Sequence, residues 1–471
     1  MTHTSHFKAA TIRTEIAALW KLAWPMLVGQ LATVGMGVAD VAMTGHEGAA
    51  ELAAVSIGAS MWSMVIVTVI GIMMAINAVI AHDVGAGALT RIPHIVRQAL
   101  WQGLGVGLIA CLILNYATGI FDYLQLDAAV QQSATLFVHV ISLGLPALGM
   151  FRALQGYSTS INQTKPIMLI SLGGLAFNIF VNWLLIYGNW GFPKLGAVGC
   201  AVGTALGLWL MLGAMVIWIR RSPAYRATDP FTHWEMPYWP EISSMLRMGL
   251  PIGVTYFAEV SAFCSVGLLV GRFGVVETAA NQIALNFSSL VFMVPMSLGI
   301  ALITRVGLAL GEGDAQRARF VGWIGIGLSL AFGLVSAIGI AMFRHPIAAA
   351  YTTDPAVQAV TANLLLFAAV FQLSDSTQVA ASSAIRGYKV NRAPMVIHLL
   401  AFWVLAIPLG CVLGLAPAWF AWSPAAPMAA TGFWIALSLG LTCAALMLCW
   451  YYARLSFSRA FPGGAAVLMK V

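Results

Sequence analysis

Charged residues are scarce in this sequence. Only 8% of its 471 residues are Asp, Glu, Lys or Arg, whereas soluble domains carry about 25%. Together with 60% hydrophobic residues and a mean hydropathy of +0.89, this shortage excludes a soluble globular protein. Apolar runs recur from Trp20 to Tyr451, so the excess is spread along the whole chain. This distribution indicates a protein with many membrane spans.

Several chemical motifs are also missing. The sequence contains neither a GxxxxGK[ST] motif nor an HExxH motif, so we expect neither direct ATP hydrolysis nor enzymatic activity, and no bound cofactor. The six cysteines lie in apolar stretches without CxxC spacing, which argues against a disulfide framework or a metal knuckle. The first fifteen residues lack an apolar core followed by a cleavage site, so we expect no removable signal peptide.

Long apolar segments predict an all-α membrane fold. Runs of roughly 20 apolar residues, the length of a spanning helix, are far commoner here than the alternating ten-residue segments of a membrane barrel. We predict twelve transmembrane helices, at 16–42, 53–81, 95–120, 130–155, 167–188, 196–219, 244–270, 279–308, 319–343, 356–385, 395–415 and 427–453.

Basic residues fall mostly on one side of the predicted membrane. Of the 23 Lys and Arg, all but Lys194, Arg272 and Arg344 lie on the side that holds both termini. The positive-inside rule therefore predicts that both termini are cytoplasmic. The net charge of +7 then reflects membrane topology, and we expect no nucleic-acid partner.

The chain repeats itself at a constant spacing. Pro25 and Pro251 are 226 residues apart, as are Glu51 and Glu277 and several pairs of Gly and Ala. Because each half holds six spans, both copies keep the same orientation, which is typical of a two-lobed transporter with a central cleft. The predicted divisions are an N-terminal lobe (1–219), a cytoplasmic linker (220–243), a C-terminal lobe (244–455) and a cytoplasmic tail (456–471).

Three acidic residues, Asp40, Glu259 and Asp375, lie within apolar spans. A carboxylate in hydrocarbon costs at least a few kcal/mol, so such residues usually face water-filled cavities and mark ion or substrate paths. A protonated carboxyl that bonds a neighbouring helix is the alternative. Helical spacing places Asp40 on a polar stripe with Gln30 and Thr33.

Two spans carry polar pairs that are one helical turn apart. Asn178 and Asn182 form such a pair in the fifth span, and Cys200 and Thr204 form one in the sixth. Such side chains can hold helices together, or, beside a carboxylate, they can supply the oxygen ligands that sodium prefers. Reversible protonation of a desolvated carboxyl is equally allowed, so the residues leave Na⁺ and H⁺ both open as the coupling ion.

The predicted cavity is acidic or neutral, because no cluster of Lys or Arg lies at the span centres. This favours cationic or neutral substrates, for which aromatic and methionine side chains provide an adaptable surface. His139 and His398 also lie within spans, and for both we expect a hydrogen-bonded packing role.

Four segments resemble the multidrug and toxic compound extrusion (MATE) family, specifically its NorM branch. They are GVADVAMTGHEGAAELAAVSIGASMW (37–62), FAEVSAF (257–263), AANQIALNFSSL (279–290) and FQLSDSTQVAASSAIRGY (371–388). The resemblance implies two six-helix lobes around a central cleft. It also implies export of amphipathic, often cationic, drugs in exchange for inward Na⁺ or H⁺, by a monomer in the bacterial inner membrane. The alternative is a lipid-linked oligosaccharide flippase of the same superfamily, whose anionic substrates predict basic residues inside the cleft.

The resemblance further implies roles for single residues. Glu259 and Asp375 match the cation-binding acids of the C-terminal lobe, where we expect Na⁺ as the metal ion. Asp40, Asn178 and Asn182, with Cys200 and Thr204 nearby, match the polar site of the N-terminal lobe. Residues expected to contact the substrate are Ser60, Phe263, Gln282, Asp354 and Phe371. Phe371 departs from the family pattern, in which a tyrosine stands at this position, so the aromatic face is kept without the hydroxyl.

Overall fold

The protein is helical throughout the part of the chain that the structure describes. This computed structural model describes residues 9–123, 127–416, 424 and 426–460. Twelve helical segments in these ranges are long and apolar enough to cross a membrane, which confirms the predicted all-α fold. Most of them extend beyond the predicted ends by several residues, because polar first and last turns continue the helices past the apolar runs.

The described helices follow one another along the chain. Those of the first half are α1 (Ala9–Glu47), α2 (Ala49–Met73), α3 (Ala75–Gly85), α4 (Ile92–Ala117), α5 (Ala128–Ser142), α6 (Leu145–Ser160), α7 (Lys165–Tyr187) and α8 (Ala197–Arg221). Those of the second half are α9 (Trp239–Val270), α10 (Val275–Gly311), α11 (Ala315–Tyr351), α12 (Pro355–Gly387), α13 (Arg392–Leu399), α14 (Ile407–Leu415) and α15 (Ala429–Ala460).

Three of the twelve spans contain a local break. The α2 and α3 helices form one span that is interrupted at Met74, and α5 and α6 form another that is interrupted beside Gly144. The α13 and α14 helices are joined by a π-helical stretch, Leu400–Ala406, within a single span. Stretches of π-helix inside longer helices often accompany functional sites.

The described helices pack as two compact units. One unit contains residues 24–257, and the other combines the chain before residue 24 with the chain from residue 258 onward. Each unit has its own buried apolar core. The division cuts α1 and α9, so each of these helices begins in one unit and ends in the other. The repeat predicts lobe boundaries at 219 and 244, whereas the packing units divide the chain at 23/24 and 257/258. The predicted boundaries describe the sequence repeat, and as lobe boundaries they stay a prediction.

Ion pairs hold the N-terminal parts of α1 and α9. Glu15, on α1, is 5% exposed and accepts hydrogen bonds from Arg305 and Arg317. Glu241, on α9, accepts a hydrogen bond from Arg91 at 2.8 Å. Glu15 and Glu241 are 226 residues apart, as are Arg91 and Arg317, so these are equivalent pairs of the repeat. Each pair joins opposite halves of the sequence within one packing unit.

Glu51 and Glu277, each in the second span of its half, have equivalent contacts. Glu51 accepts a hydrogen bond from the backbone N–H of Ala197 at 2.6 Å, and Glu277 accepts one from Ala430 at 3.4 Å. Each carboxylate therefore accepts from a backbone N–H in the first turn of the sixth span of its own half. The helix dipole favours negative charge at that end of a helix. This agreement supports the duplication with a physical contact.

Glycines bring α4 and α6 into close contact within the unit of residues 24–257. A Cβ atom on Gly103 would lie 2.5 Å from the backbone of Gly149, and one on Gly107 would lie 2.5 Å from the carbonyl oxygen of Leu145. Small residues four positions apart allow such close helix packing in membranes. The contact fixes the position of α6 against α4.

The predicted linker is bound to the start of α4. Glu235 accepts a hydrogen bond from the guanidinium of Arg97, and its backbone carbonyl accepts one from the Trp101 indole at 3.0 Å. The Gln98 side chain accepts from the backbone N–H of Tyr238 at 2.6 Å and donates to the carbonyl of Met236 at 3.1 Å. The segment is therefore a docked element of this unit and not a free tether.

Glu235→Gln is expected to lower the thermal stability of the purified protein in a pH-dependent way. The hydrogen bond from Arg97, followed by one from His94, lowers the pKa of Glu235 from 4.5 to about 2. A lowered pKa in the folded state stabilises the protein above the unfolded-state pKa, and this contribution is lost as the pH falls toward 2. Thermal unfolding in detergent measures the stability difference between wild type and variant. This difference should have its maximum value above pH 5 and should decrease as the pH falls below 4.5. A difference that stays constant down to pH 3 would contradict the ion-pair assignment.

Candidate functional site

Asp40 lies in a closed ring of hydrogen bonds with side chains from α7 and α8. Asn182 Nδ2 donates to Asp40 Oδ1 at 2.6 Å, and Thr204 Oγ1 donates to Asp40 Oδ2 at 2.9 Å. Asn178 closes the ring, since its Nδ2 donates to Thr204 Oγ1 at 3.2 Å and its Oδ1 accepts from Asn182 at 3.4 Å. The two asparagines are fully buried, and Asp40 is 9% exposed. Cys200 lies beside the same carboxylate.

The ring places two hydrogen-bond donors on the Asp40 carboxylate, which suits its ionised form. The amide oxygen of Asn182 is buried and has no hydrogen-bond partner among the described residues. A buried acceptor without a donor costs about 1–3 kcal/mol. An unpaired amide oxygen close to a carboxylate is also a ligand that a small cation can use. The structure thus brings the polar pairs of the fifth and sixth spans together around Asp40. These are Asn178 with Asn182 and Cys200 with Thr204. The side-chain oxygen of Asn182 is left without a donor.

Gly203 makes room for the Asn182 amide. A Cβ atom at position 203 would lie 2.4 Å from Asn182 Oδ1, which is far inside van der Waals contact. Sequence reasoning missed this residue, although a signal exists: Gly199, Gly203 and Gly207 recur every four residues on α8, a spacing typical of close helix approach in membranes.

Gly203→Ala is expected to impair the transport that the family resemblance implies, through its effect on Asn182. The added methyl group forces the amide away from Gly203 and disturbs its bond to Asp40, so we expect at least a tenfold loss of drug efflux. The measurement is efflux from proteoliposomes at matched protein content. Gly207→Ala is the control, because no atom lies within 4 Å of the Cβ position one turn further along α8, and it should keep wild-type activity. Equal activity of the two variants would contradict this role.

The second cluster is built around Asp375 on α12. Gln378 Nε2 donates to Asp375 Oδ1 at 3.0 Å, and Gln378 Oε1 lies 2.5 Å from His398 Nε2. The other ring nitrogen, His398 Nδ1, lies 2.6 Å from the carbonyl oxygen of Pro394. Asp375, Gln378 and His398 are each no more than 3% exposed. His398 also precedes the π-helical stretch, and its ring stacks on Phe402 at a centroid distance of 6.4 Å.

The hydrogen-bonded series Asp375–Gln378–His398 has donors and acceptors that restrict where its protons lie. The Pro394 carbonyl only accepts, so His398 Nδ1 carries a proton. If Asp375 is ionised, Gln378 turns its N–H₂ group to Asp375 and its oxygen to His398, whose second nitrogen must then also carry a proton. If the amide is turned over, Asp375 holds the proton and His398 is neutral. Both arrangements contain the same number of protons, so these contacts can be satisfied with one proton on either Asp375 or His398.

Glu259 lies near Asp375 in the same packing unit. The two carboxyl groups are close enough to repel each other electrostatically when both are ionised. No hydrogen bond to the Glu259 side chain occurs among the described residues. Two acids in this relation favour uptake of a proton or a cation, but coordination of Na⁺ by the pair stays a prediction.

The predicted drug contacts lie in different surroundings. Phe263 packs edge-on against Phe371 at a centroid distance of 5.9 Å, and Phe371 is buried against Trp434. Gln282 is exposed on α10, whereas the exposed Asp354 caps α12 by accepting from the N–H of Ala356 at 2.9 Å. Ser60 is exposed on α2 and donates to a carbonyl of its own helix. Their roles in substrate binding stay predictions, and the cap gives Asp354 a structural role as well.

The chain matches a family model over both halves of its repeat. The model, described as MatE, covers residues 25–184 and 251–412. The chain belongs to the MATE family. Among relatives of this MATE protein, the multidrug resistance protein PmpM of Pseudomonas aeruginosa is 40% identical over 94% of this chain and 92% of its own. The multidrug resistance protein NorM of Vibrio cholerae is 38% identical over 93% and 94%, which confirms the predicted NorM branch.

Solved MATE structures have the same fold. A eukaryotic MATE transporter superposes with a TM-score of 0.85 at 19% identity, over 95% of this chain and 99% of that chain. An outward-facing multidrug resistance MATE transporter gives a TM-score of 0.82 at 18% identity, over 94% and 96%. These likenesses confirm that the chain is a multi-pass membrane protein with the MATE helix arrangement.

Proposed function

We propose that this MATE protein is a secondary multidrug exporter. It would expel amphipathic, often cationic, compounds in exchange for Na⁺ or H⁺ that moves inward, by alternating access across the bacterial inner membrane. The observation that carries the proposal is the presence of two buried carboxylate networks, around Asp40 and around Asp375, on a chain 40% identical to a named multidrug resistance protein. Carboxylates at these depths are usually kept for ion or substrate pathways.

Each network offers a way for an ion to change the protein. In the ionised state, amide and hydroxyl donors occupy the carboxylate oxygens. A proton or Na⁺ replaces these donors, so the amides must turn and present oxygen instead of nitrogen. The ion therefore changes the hydrogen bonds that join α1 to α7 and α8, and those that join α12 to α13. An ion drives transport only if it binds one facing state better than the other, and such rearrangements supply that difference.

The residues near the second network suit an organic cation. Phe263 presents a partly buried aromatic ring, and aromatic faces attract cations by about 0.5–2 kcal/mol. Glu259 and Asp375 supply negative charge in the same packing unit. A drug cation and the coupling ion would then compete for these acids, which makes the exchange obligatory.

The test uses the full chain in proteoliposomes loaded with ethidium, with a Na⁺ gradient and a proton gradient imposed separately. We expect ethidium export under at least one gradient, and the effective gradient identifies the ion. Liposomes without protein and liposomes without a gradient are the controls. No export under either gradient, with correctly inserted protein, would contradict the proposal.

A further inference from the structure

The linker between α8 and α9 exposes large apolar side chains. Trp234 and Met236 are each 76% exposed, and Trp239, the first residue of α9, is 69% exposed. Exposed apolar residues on spanning helices face lipid, but this linker is predicted to lie in the cytoplasm. Single exposed apolar residues are ordinary on a protein surface, whereas a patch of them marks a contact with another protein or with a membrane. These three residues form the apolar patch of the linker.

Contacts to α4 hold the apolar patch in place. Glu235, which lies between Trp234 and Met236 in the sequence, accepts a hydrogen bond from Arg97, and its Oε2 lies 2.6 Å from His94 Nδ1. Because Glu235 is bound to α4, the side chains on either side of it are presented outward from a fixed backbone. Their exposure is therefore a property of the folded linker.

The apolar patch lies beside the part of α4 that crosses the membrane. The Trp234 ring packs edge-on against the Trp101 ring at a centroid distance of 5.3 Å. Trp101 is nine residues after Ile92, the first residue of α4, or about 14 Å along the axis. The span that α4 begins has 31 residues, or about 46 Å, which exceeds the hydrocarbon core by about 16 Å. With this excess shared between both ends, Trp101 lies about 6 Å inside the core, so lipid is the neighbour available to Trp234.

Three arginines of the same segment have no acidic partner in the described part of the chain. Arg220 and Arg221 end α8, and Arg226 lies in a short 3₁₀ helix, Pro223–Thr228. All three are exposed. The Arg220 guanidinium lies over the Phe231 ring, 5.3 Å from its centroid, so this charge is held against the linker.

The acidic residues of the segment already have partners. Glu235 pairs with Arg97, and Glu241, at the start of α9, pairs with Arg91 at 2.8 Å. The carboxylate of Asp229 accepts from the backbone N–H two residues further on, at 2.9 Å. The three unpaired arginines therefore outweigh Asp229 and leave the segment with a net positive charge.

We propose that the linker lies in the membrane interface and binds anionic phospholipids there. The apolar patch would contact the outer ends of the acyl chains, where Trp side chains are favoured because the ring is buried and the N–H stays hydrated. The three arginines would contact lipid phosphates, which suit the fork of a guanidinium. Basic residues next to the end of a span are attracted to an anionic leaflet. Zwitterionic lipids fit less well, because each headgroup brings its own cation to the phosphate.

The first test maps the apolar patch on the wild-type chain by hydroxyl-radical footprinting. The full chain is placed in nanodiscs that contain equal amounts of phosphatidylcholine and phosphatidylglycerol. We expect Trp234, Met236 and Trp239 to be oxidised at least tenfold more slowly than the same residues of the denatured chain, because lipid shields them from water. Oxidation at the rate of the denatured chain would show a surface open to water, as a docking site for a soluble protein would be, and would overturn the proposal.

The second test asks whether the three arginines select the lipid. Native mass spectrometry of the purified full chain compares the binding of phosphatidylglycerol and phosphatidylcholine that carry the same acyl chains. We expect the wild type to bind phosphatidylglycerol at least tenfold more tightly. The combined variant Arg220→Gln, Arg221→Gln and Arg226→Gln should reduce this preference to less than threefold. Equal affinities in the wild type, or an unchanged preference in the variant, would overturn the proposal.

The matched control combines Arg392→Gln, Arg454→Gln and Arg459→Gln. These arginines are also exposed and are predicted to lie on the same side of the membrane, but they belong to the other packing unit. Arg454 lies over the Trp450 ring, 4.1 Å from its centroid, much as Arg220 lies over an aromatic ring. The control should keep the tenfold preference, and equal losses in both triple variants would show attraction by total charge and overturn the site. Neither test uses transport, so a failure to export ethidium would contradict the proposed function alone.

Discussion

Asp375→Asn is expected to abolish ion-driven ethidium export while leaving the protein folded and inserted. The amide oxygen of the introduced asparagine can still accept the hydrogen bond that Gln378 donates to Asp375 Oδ1 at 3.0 Å, so the local packing is kept. The variant can no longer carry a negative charge or hold a proton. On the proposed coupling role, the site then loses the group that would take up a proton, and a Na⁺ ion would lose its charged ligand.

The measurement for Asp375→Asn is efflux under each gradient, together with thermal unfolding of the purified protein. We expect less than about 5% of wild-type efflux and a change in unfolding free energy below about 1 kcal/mol, because one neutral hydrogen bond replaces one charge-assisted bond. Asp127→Asn is the control. Asp127 is an exposed acid that caps α5, and Asn caps helices as well as Asp. Efflux with normal ion dependence in the Asp375 variant would remove this residue from the coupling site.

Asp40→Asn is expected to abolish transport and also to destabilise the protein. Both oxygens of Asp40 accept hydrogen bonds, one from Asn182 and one from Thr204. An asparagine at this position has a single oxygen, so its N–H₂ group must face one of the two donors. If the N–H₂ group faces Asn182, the buried amide of Asn182 loses its acceptor. If it faces the part-buried Thr204, the hydroxyl accepts from it but its own O–H loses Asp40 as acceptor. A lost partner costs about 1–3 kcal/mol. This conflict does not arise at Asp375, where the structure gives the carboxylate one side-chain donor among the described residues.

The comparison of the two variants is therefore informative. Both should lose efflux, but only Asp40→Asn should lower the unfolding midpoint clearly, by about 1–3 °C for a loss of about 1–3 kcal/mol in a protein of this length. The readouts are efflux and thermal unfolding in the same detergent, with Asp127→Asn as the reference. A stable Asp40→Asn protein would be evidence against the closed ring, and an active one would be evidence against Asp40 as a coupling residue.

The number and type of the helices could be predicted from the sequence because spanning helices are set by apolar length, which is a local property. The repeat could also be predicted, since a constant offset is visible without any contact information. The sequence could not predict that α1 and α9 each begin in one packing unit and end in the other. The 226-residue offset relates Glu15 to Glu241 and Arg91 to Arg317, but an offset identifies equivalent positions and does not say which positions touch.

The site was predictable where polar residues are conspicuous against an apolar background. Asp40 and the asparagines of α7 stand out in this way, and the structure brings them together. Gly203 and Gln378 were missed because their roles depend on a neighbouring helix. The contact between Gln378 and His398 links α12 to α13, in keeping with the hydrogen-bonded packing role predicted for the histidine.

The paired charges at the start of α1 have a consequence for biosynthesis. Glu15 leaves the ribosome 302 residues before Arg317, its partner. At about 5–20 residues per second, this delay is about 15–60 s. Throughout that interval the carboxylate lacks both arginines that later enclose it, so it must remain hydrated at the membrane surface. Glu241, by contrast, meets Arg91 as soon as it is made. The α1 helix is therefore among the last of the described helices to finish docking, because Glu15 lacks these partners until the second half is made.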